Sequence, residues 1–194
     1  VFNQETPFVH LNQLLLKNTV GLVSDAGTPL ISDPGYKLVK ECYMKSIIVT
    51  HAPGPSAVIN ALVLSCLPSN QFYFGGFILS NKAAKKNQFL PTKHMRMTGI
   101  WFDTCLRLKN TLEIMKVVYG NRKISIMREL TKIYEDIILS DLNNVMDLLT
   151  KRENDNKPLK GEIVLVIEGY KNCEALDMEK LRVKINDKLI NLSV

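Results

Sequence analysis

The chain has 194 residues, of which 46% are hydrophobic and 23% charged, and a formal net charge of +6. That length suits one domain or two small ones with a packed core. It holds no run of roughly 18 apolar residues, so no transmembrane helix is expected. No basic segment followed by an apolar stretch opens it, so no secretory signal is expected. Its cysteines (Cys42, Cys66, Cys105 and Cys173) are scattered without a Cys-x-x-Cys pair. That argues for reduced thiols, no metal site and a cytoplasmic protein.

Alternating elements follow in chain order. Residues 7–17 read as a helix and Val20–Val23 as a strand. Asp33–Met44 reads as a helix with Asp33 as N-cap and Pro34 at its first position. Ser46–Thr50 is a second strand, and Pro55–Leu67 a helix that is apolar nearly all round and so expected to be buried. This order implies parallel strands with helical crossovers. Leu67-Pro-Ser-Asn70 interrupts the pattern. Phe72–Phe77 then reads as a strand, Asn81–Leu90 as a polar helix and Gly99–Asp103 as a strand. Leu106–Val118 reads as a helix, Lys123–Arg128 as a strand, Asp141–Arg152 as a helix and Glu162–Gly169 as a strand. The natural division is into two lobes joined near residue 69.

Charge is unevenly placed. No acidic residue lies between Glu41 and Asp103, an interval that carries Lys45, Lys82, Lys85, Lys86, Lys93 and Arg96. The last five are candidate contacts to an RNA phosphate backbone, where each neutralised phosphate releases counterions. A solvated lysine-rich helix face accounts for them equally well.

Two small-residue loops follow the first two strand-like runs. The first spans Gly21-Leu-Val-Ser-Asp-Ala-Gly-Thr-Pro-Leu-Ile-Ser-Asp-Pro-Gly35, the second Ala52-Pro-Gly-Pro-Ser-Ala57. In α/β proteins ligands lie outside the carboxyl ends of the strands, where bare backbone can approach them. Asp25 can accept hydrogen bonds from a hydroxyl or ammonium. Ala26 and Gly27 permit close approach, and Thr28 and Ser32 offer hydroxyls. A loop that merely caps a helix fits the same residues. The spacing matches neither a Walker A motif nor Gly-x-Gly-x-x-Gly.

The first loop (Leu22 to Tyr36), Pro53-Gly-Pro-Ser-Ala57, Leu67-Pro68 and Phe72-Tyr-Phe-Gly-Gly-Phe77 together resemble the ribosomal RNA small subunit methyltransferase I family of the tetrapyrrole methylase superfamily. Arg128-Glu-Leu-Thr-Lys132 with Tyr134-Glu135, and Gly161 to Gly169, resemble its later motifs. The resemblance covers residues 3 to 169. It implies an α/β, two-lobed tetrapyrrole-methylase-like fold. Residues 1–69 would form a partial N-terminal lobe with a parallel sheet lacking its opening strand. Residues 70–170 would form a C-terminal lobe with a mixed sheet and helices, and 171–194 a polar tail.

The resemblance further implies S-adenosylmethionine as cofactor and 2′-O-methylation of a cytidine ribose in 16S rRNA. The partner would be that RNA or the small ribosomal subunit, and the chain a homodimer. Ser24, Asp25, Ala26, Gly27, Thr28 and Ser32 would line the methionine and ribose parts of the cofactor, with Ser56 and Ala57 from the second turn. Trp101 and Phe102, with Met127, Arg128 and Glu129, would close over the adenine side. Asp25 and Glu129 are candidates to take the hydroxyl proton, although each serves equally as a hydrogen-bond anchor. His51 reads as a loop histidine.

The sequence departs from the family where it has Phe102-Asp-Thr-Cys-Leu-Arg107 in place of a Tyr-Glu-Ser-Pro-His-Arg-like motif. The family's opening strand, with Ala-Thr-Pro-x-Gly-Asn-Leu, and its Glu-Asp-Thr-Arg motif are not in this sequence, so the chain is expected to be a fragment or a remnant. A non-catalytic RNA-binding protein and a tetrapyrrole methyltransferase are the alternatives.

Overall fold

The computed structural model describes residues 18–171; the helix expected at 7–17 and the tail from 172 onward lie outside them. The described chain is built on one five-stranded mixed sheet, so the α/β class holds. The strands are β1 (Phe72–Phe77), β2 (Thr98–Thr104), β3 (Lys123–Arg128), β4 (Asp136–Asp141) and β5 (Glu162–Ile167), in the order β1-β2-β5-β3-β4. β1 and β2 are parallel, and every other pairing is antiparallel. Because β5 opposes both β2 and β3, the strands β1, β2 and β3 run the same way and end at the same edge.

Helices cover the two faces unequally. α3 (Lys82–Phe89), α4 (Leu108–Tyr119) and α5 (Val145–Asn154) join one face in a core of Phe89, Trp101, Leu112, Met115, Leu149 and Leu165. α2 (Ala57–Leu64) packs on the other, placing Val58, Ala61 and Leu62 on Ile100, Met127, Val164 and Val166. β5 therefore reads as an unbroken apolar run: Ile163, Leu165 and Ile167 feed one core, and Val164 and Val166 the other. Two polar links tie helices in place. Asn81 caps α3 by accepting from the amides of Ala83 and Ala84, and the Ser125 hydroxyl donates to the Ser65 carbonyl at 2.7 Å just past α2.

Several expected boundaries move. α1 (Tyr36–Met44) starts after Gly35 rather than at Asp33. Gly35 has φ 133°, outside helical geometry, which leaves Asp33 and Pro34 in the loop. α2 is shorter than Pro55–Leu67 because Cys66 turns into the left-handed region at φ 56°. Nor is α2 buried all round: Ile59 and Val63 are exposed, the latter at 73%. α5 begins at Val145 because Asp141 ends β4 and its carboxylate accepts from the amides of Asn143 and Asn144 at 2.9 and 3.1 Å. The strand β4 itself was not anticipated.

The largest correction concerns Val20–Val23 and Ser46–Thr50. Among the described residues neither segment pairs as a strand, and much of their apolar surface is open: Val23 is 86% and Ile48 94% exposed. A strand exists only through a partner's hydrogen bonds. Their β-branched residues favour extended backbone but do not supply a ladder.

Candidate functional site

The shared edge where β1, β2 and β3 end gathers many of the expected site residues. On the face that α2 covers, Phe74, Phe102 and Ala57 pack against a buried cluster containing Met127, Val58 and Leu62. Ser56 stands at the N-cap of α2, its hydroxyl accepting from the Ile59 amide. The amides of the first turn of that helix point past it toward the loops. The first loop joins the second turn directly, since the Thr28 hydroxyl donates to the Pro55 carbonyl at 2.9 Å. Ser56, Ala57, Phe102 and Met127 thus come together, and Thr28 brings the Ser24–Thr28 loop against them.

The first loop is tightly wound. The Ser24 hydroxyl donates to the carbonyls of Ala26 and Gly27 at 3.2 and 3.3 Å. Gly27 (φ 70°) has open space where a side chain would stand; the nearest atom is the Pro55 carbonyl oxygen at 3.9 Å. Leu30 and Ser32 hold φ of 73° and 62°, a conformation costing on the order of 1–3 kcal/mol per residue outside glycine. Asp25 and Ser32 are exposed on this loop, and so is His51 ahead of the second turn.

Trp101 departs from the expected set. It is 2% exposed and lies on the opposite face, edge-on to Tyr73 and Phe89 in the main core. Alternation along β2 dictates this: if Phe102 faces α2, Trp101 must face α3 and α4.

Arg128 and Glu129 lie at the end of β3 but are engaged in the loop there. The Arg128 Nε donates to the Lys160 carbonyl at 2.5 Å, and its guanidinium lies 6.0 Å from the centre of the Tyr134 ring. The Glu129 carboxylate accepts from the Glu162 amide at 2.8 Å and from the Lys132 ammonium at 3.3 Å. The first of these, helped by Lys132 and Arg128, holds its carboxyl below the usual range. These hydrogen bonds make Glu129 a link across the β3–β5 end.

The basic run is divided. α3 carries the chain from the β1 exit to the β2 entry, so Lys82 lies at the edge where β1–β3 end, whereas Lys93 and Arg96 lie at the opposite edge. Lys82, Lys86, Lys93 and Arg96 are exposed. Lys85 is not: it is 1% exposed, with its ammonium donating to Asn110 at 3.1 Å and Thr111 at 2.9 Å. A side chain so engaged cannot reach a phosphate.

Two residues near this edge were missed by sequence reasoning. Asp103, 2% exposed, accepts from the Thr111 hydroxyl at 2.6 Å and pairs with Arg107 at 2.8 Å. The signal available was its i, i+4 spacing to Arg107 across a strand end. Phe77 is 56% exposed with its ring 5.3 Å from that of Phe102. Its signal was the Gly75-Gly76 pair just before it.

No family model matches the chain. Relatives do. It is 42% identical over 175 residues to the ribosomal RNA small subunit methyltransferase I of Rickettsia prowazekii, a match covering 90% of this chain and 56% of that protein. The enzyme of the same name from Vibrio cholerae is 39% identical over 182 residues, 92% of this chain and 62% of that one. By sequence the chain is therefore similar to ribosomal RNA small subunit methyltransferase I over most of its own length. It spans little more than half the length of these relatives.

Solved structures agree at the level of fold. The methyltransferase CobJ superposes with a TM-score of 0.58 at 13% identity, over 83% of this chain and 69% of that one. Uroporphyrin-III-C-methyltransferase from Thermus thermophilus gives 0.51 at 15% identity, over 73% and 60%. The fold of this chain is thus tetrapyrrole-methylase-like. Among the described residues no helix is long and apolar enough to cross a membrane.

Proposed function

We propose that this chain is part of an S-adenosylmethionine-dependent methyltransferase that acts on the 2′-hydroxyl of a cytidine ribose in 16S rRNA. The observation that carries the reading is the convergence at one sheet edge. The Thr28–Pro55 hydrogen bond, the N-terminus of α2 and the Phe102 ring lie in one neighbourhood, in a chain that is 42% and 39% identical to rRNA methyltransferases over most of its length. The two-lobe division near residue 69, pairing into a homodimer and a cytoplasmic location belong to the same reading. Exposed Tyr43, Met44 and Val63 offer apolar surface for such a dimer.

The residues fit the cofactor. The bare backbone at Ala26 and Gly27 and the first-turn amides of α2 would hold its carboxylate and hydroxyls, Asp25 its ammonium, and Phe102 its base. When bound, S-adenosylmethionine supplies a methyl group on a positively charged sulfur. The chain's task is then largely positioning, which contributes up to roughly 7–11 kcal/mol in favourable cases. α2 and Met127 exclude water from the floor of the site, and the strained first loop keeps its amides presented without side chains in the way. Exposed lysines on α3 would attract the RNA backbone.

One observation favours a second reading, a non-catalytic RNA-binding chain: Val20–Val23 and Ser46–Thr50 carry no ladder among the described residues. Calorimetry with S-adenosylmethionine, followed by methyl transfer to 30S particles lacking the modification, separates the two. Cofactor binding in the micromolar range with transfer to the cytidine ribose supports the enzyme. RNA binding by a folded chain that ignores the cofactor supports the alternative.

A further inference from the structure

The Gly75-Gly76 pair redirects one ring. In an unbroken strand, Phe74 and residue 76 would share a face and Phe77 would point to the other. The β1–β2 register shifts between Phe74 and Phe77, and Gly76 takes φ 73° at the bulge. Phe77 therefore returns to the face of Phe74 and Phe102, whose rings lie 4.8 Å apart, with Phe77 5.3 Å from Phe102. β-bulges are over-represented beside functional sites because they re-aim a side chain in this way.

The backbone beneath this ring is held firmly. The Gln88 amide donates to the Phe77 carbonyl at 3.0 Å and accepts from the Leu79 amide at 3.1 Å. Between them, the Ile78 amide donates to the Phe102 carbonyl at 2.9 Å. Rigid support under an aromatic ring that is 56% exposed is a poor use of apolar surface unless something covers it.

We infer that Phe77 is a stacking platform for an unpaired base of the RNA substrate. The inference rests on the RNA-methyltransferase reading above. β1 is an edge strand, and Phe72 and Leu79 are exposed along the same segment, so the ring stands on an open ledge. A cofactor pocket, by contrast, encloses most of its ligand. Charge fits the polyanion: β1 and α3 fall within the interval from Glu41 to Asp103 that holds no acidic residue, and Lys82 begins α3 at the same end of the sheet. Aromatic faces beside cationic backbone contacts are the arrangement that binds single-stranded nucleic acid.

The test compares Phe77→Ala, Phe77→Leu and Phe77→Trp in the full chain. Binding of a fluorescent oligocytidylate is followed by anisotropy, and binding of S-adenosylhomocysteine by calorimetry. Melting temperature verifies that each variant is folded. Alanine and leucine should both weaken RNA binding, alanine by roughly 5- to 150-fold, while tryptophan retains it and all three bind S-adenosylhomocysteine as the unaltered chain does. Leucine matching phenylalanine would overturn the stacking role. Weakened S-adenosylhomocysteine binding with unchanged RNA affinity would assign the ring to the cofactor's adenine instead. A parent chain that binds RNA equally with and without Phe77 removes the ledge alone, whereas a parent chain that binds no RNA removes the RNA reading as well.

Discussion

Lys85 and Asp103 are joined through a single hydroxyl. Thr111 Oγ1 accepts from the Lys85 ammonium at 2.9 Å and donates to the Asp103 carboxylate at 2.6 Å. Arg107 lies on the other carboxylate oxygen at 2.8 Å, and the Thr104 amide donates there at 2.8 Å. This network stitches α3 to α4 and to the end of β2. Burial pushes the Lys85 ammonium below its usual value, opposed by the attraction of Asp103.

Replacing Lys85 should therefore be a stability change. Lys85→Glu sets a second buried carboxylate near Asp103 and should cost on the order of 3–5 kcal/mol. Lys85→Met leaves only the Asn110 and Thr111 acceptors short of a donor, on the order of 1–3 kcal/mol. The sign with pH follows from the lowered folded-state value. In the interval below the unfolded value the unfolded chain binds more protons, so the lysine contributes an upward slope of stability with rising pH. Urea melts at increasing alkaline pH should show that slope in the parent and its loss in Lys85→Met.

Much of the fold from residue 70 onward was legible in the sequence because each signal there was local. Phe72–Phe77 and Lys123–Arg128 form as expected to the residue, since turn residues bound both apolar runs. The segment before residue 70 was not legible in the same way. Val20–Val23 has strand composition, but pairing is a property of the neighbour and not of the segment. β4 was missed because Asp136 and Asp141 flank only Ile-Ile-Leu-Ser, a weak signal, and the strand forms by pairing along β3. At the site, the two loops were readable from their glycines and prolines. Trp101 was carried into the site with its neighbour Phe102, although strand alternation separates them. Lys85 was read from charge alone, and burial reversed its meaning.

The two glycines before Phe77 should differ in how they fail. A methyl group at Gly75 would collide with the Trp101 ring, so Gly75→Ala overpacks the main core, typically by about 1–3 kcal/mol. At Gly76 a methyl group would meet nothing within 4 Å, and only the φ of 73° opposes it. Gly76→Ala should therefore cost about 1–2 kcal/mol of backbone strain. Trp101 is the chain's single tryptophan. Its emission should shift in Gly75→Ala and stay unchanged in Gly76→Ala at equal temperature below melting.

Glu129 should reveal its role by acid titration of stability. Its folded-state value is depressed, first by the Glu162 amide and then by Lys132. A depressed carboxylate stabilises above its unfolded value, about 4.3, and loses that contribution as pH falls through the folded one. Glu129→Gln should be less stable than the parent near neutral pH, and the gap should close as the pH drops below about 4. A gap that stays constant into acid would show that the charge contributes nothing. Any residual methyl transfer by Glu129→Gln should keep the parent's pH profile if Glu129 only links the β3–β5 end.

The basic residues should separate by sheet edge. If RNA lies along the edge where β1, β2 and β3 end, Lys82 and Lys86 meet phosphates and Lys93 and Arg96 do not. For single strands each phosphate contact contributes about 0.7 to the slope of log affinity against log salt. Lys82→Met with Lys86→Met should flatten that slope by about 1.4 if both contacts are made, whereas Lys93→Met with Arg96→Met should leave it close to the parent's. All four side chains are exposed, so melting temperatures should barely move and the slopes can be compared directly. The reverse result, a slope flattened only by the second pair, would place the RNA at the β2 entry, beside Arg122 and Tyr170, and away from the loops at Thr28 and Pro55.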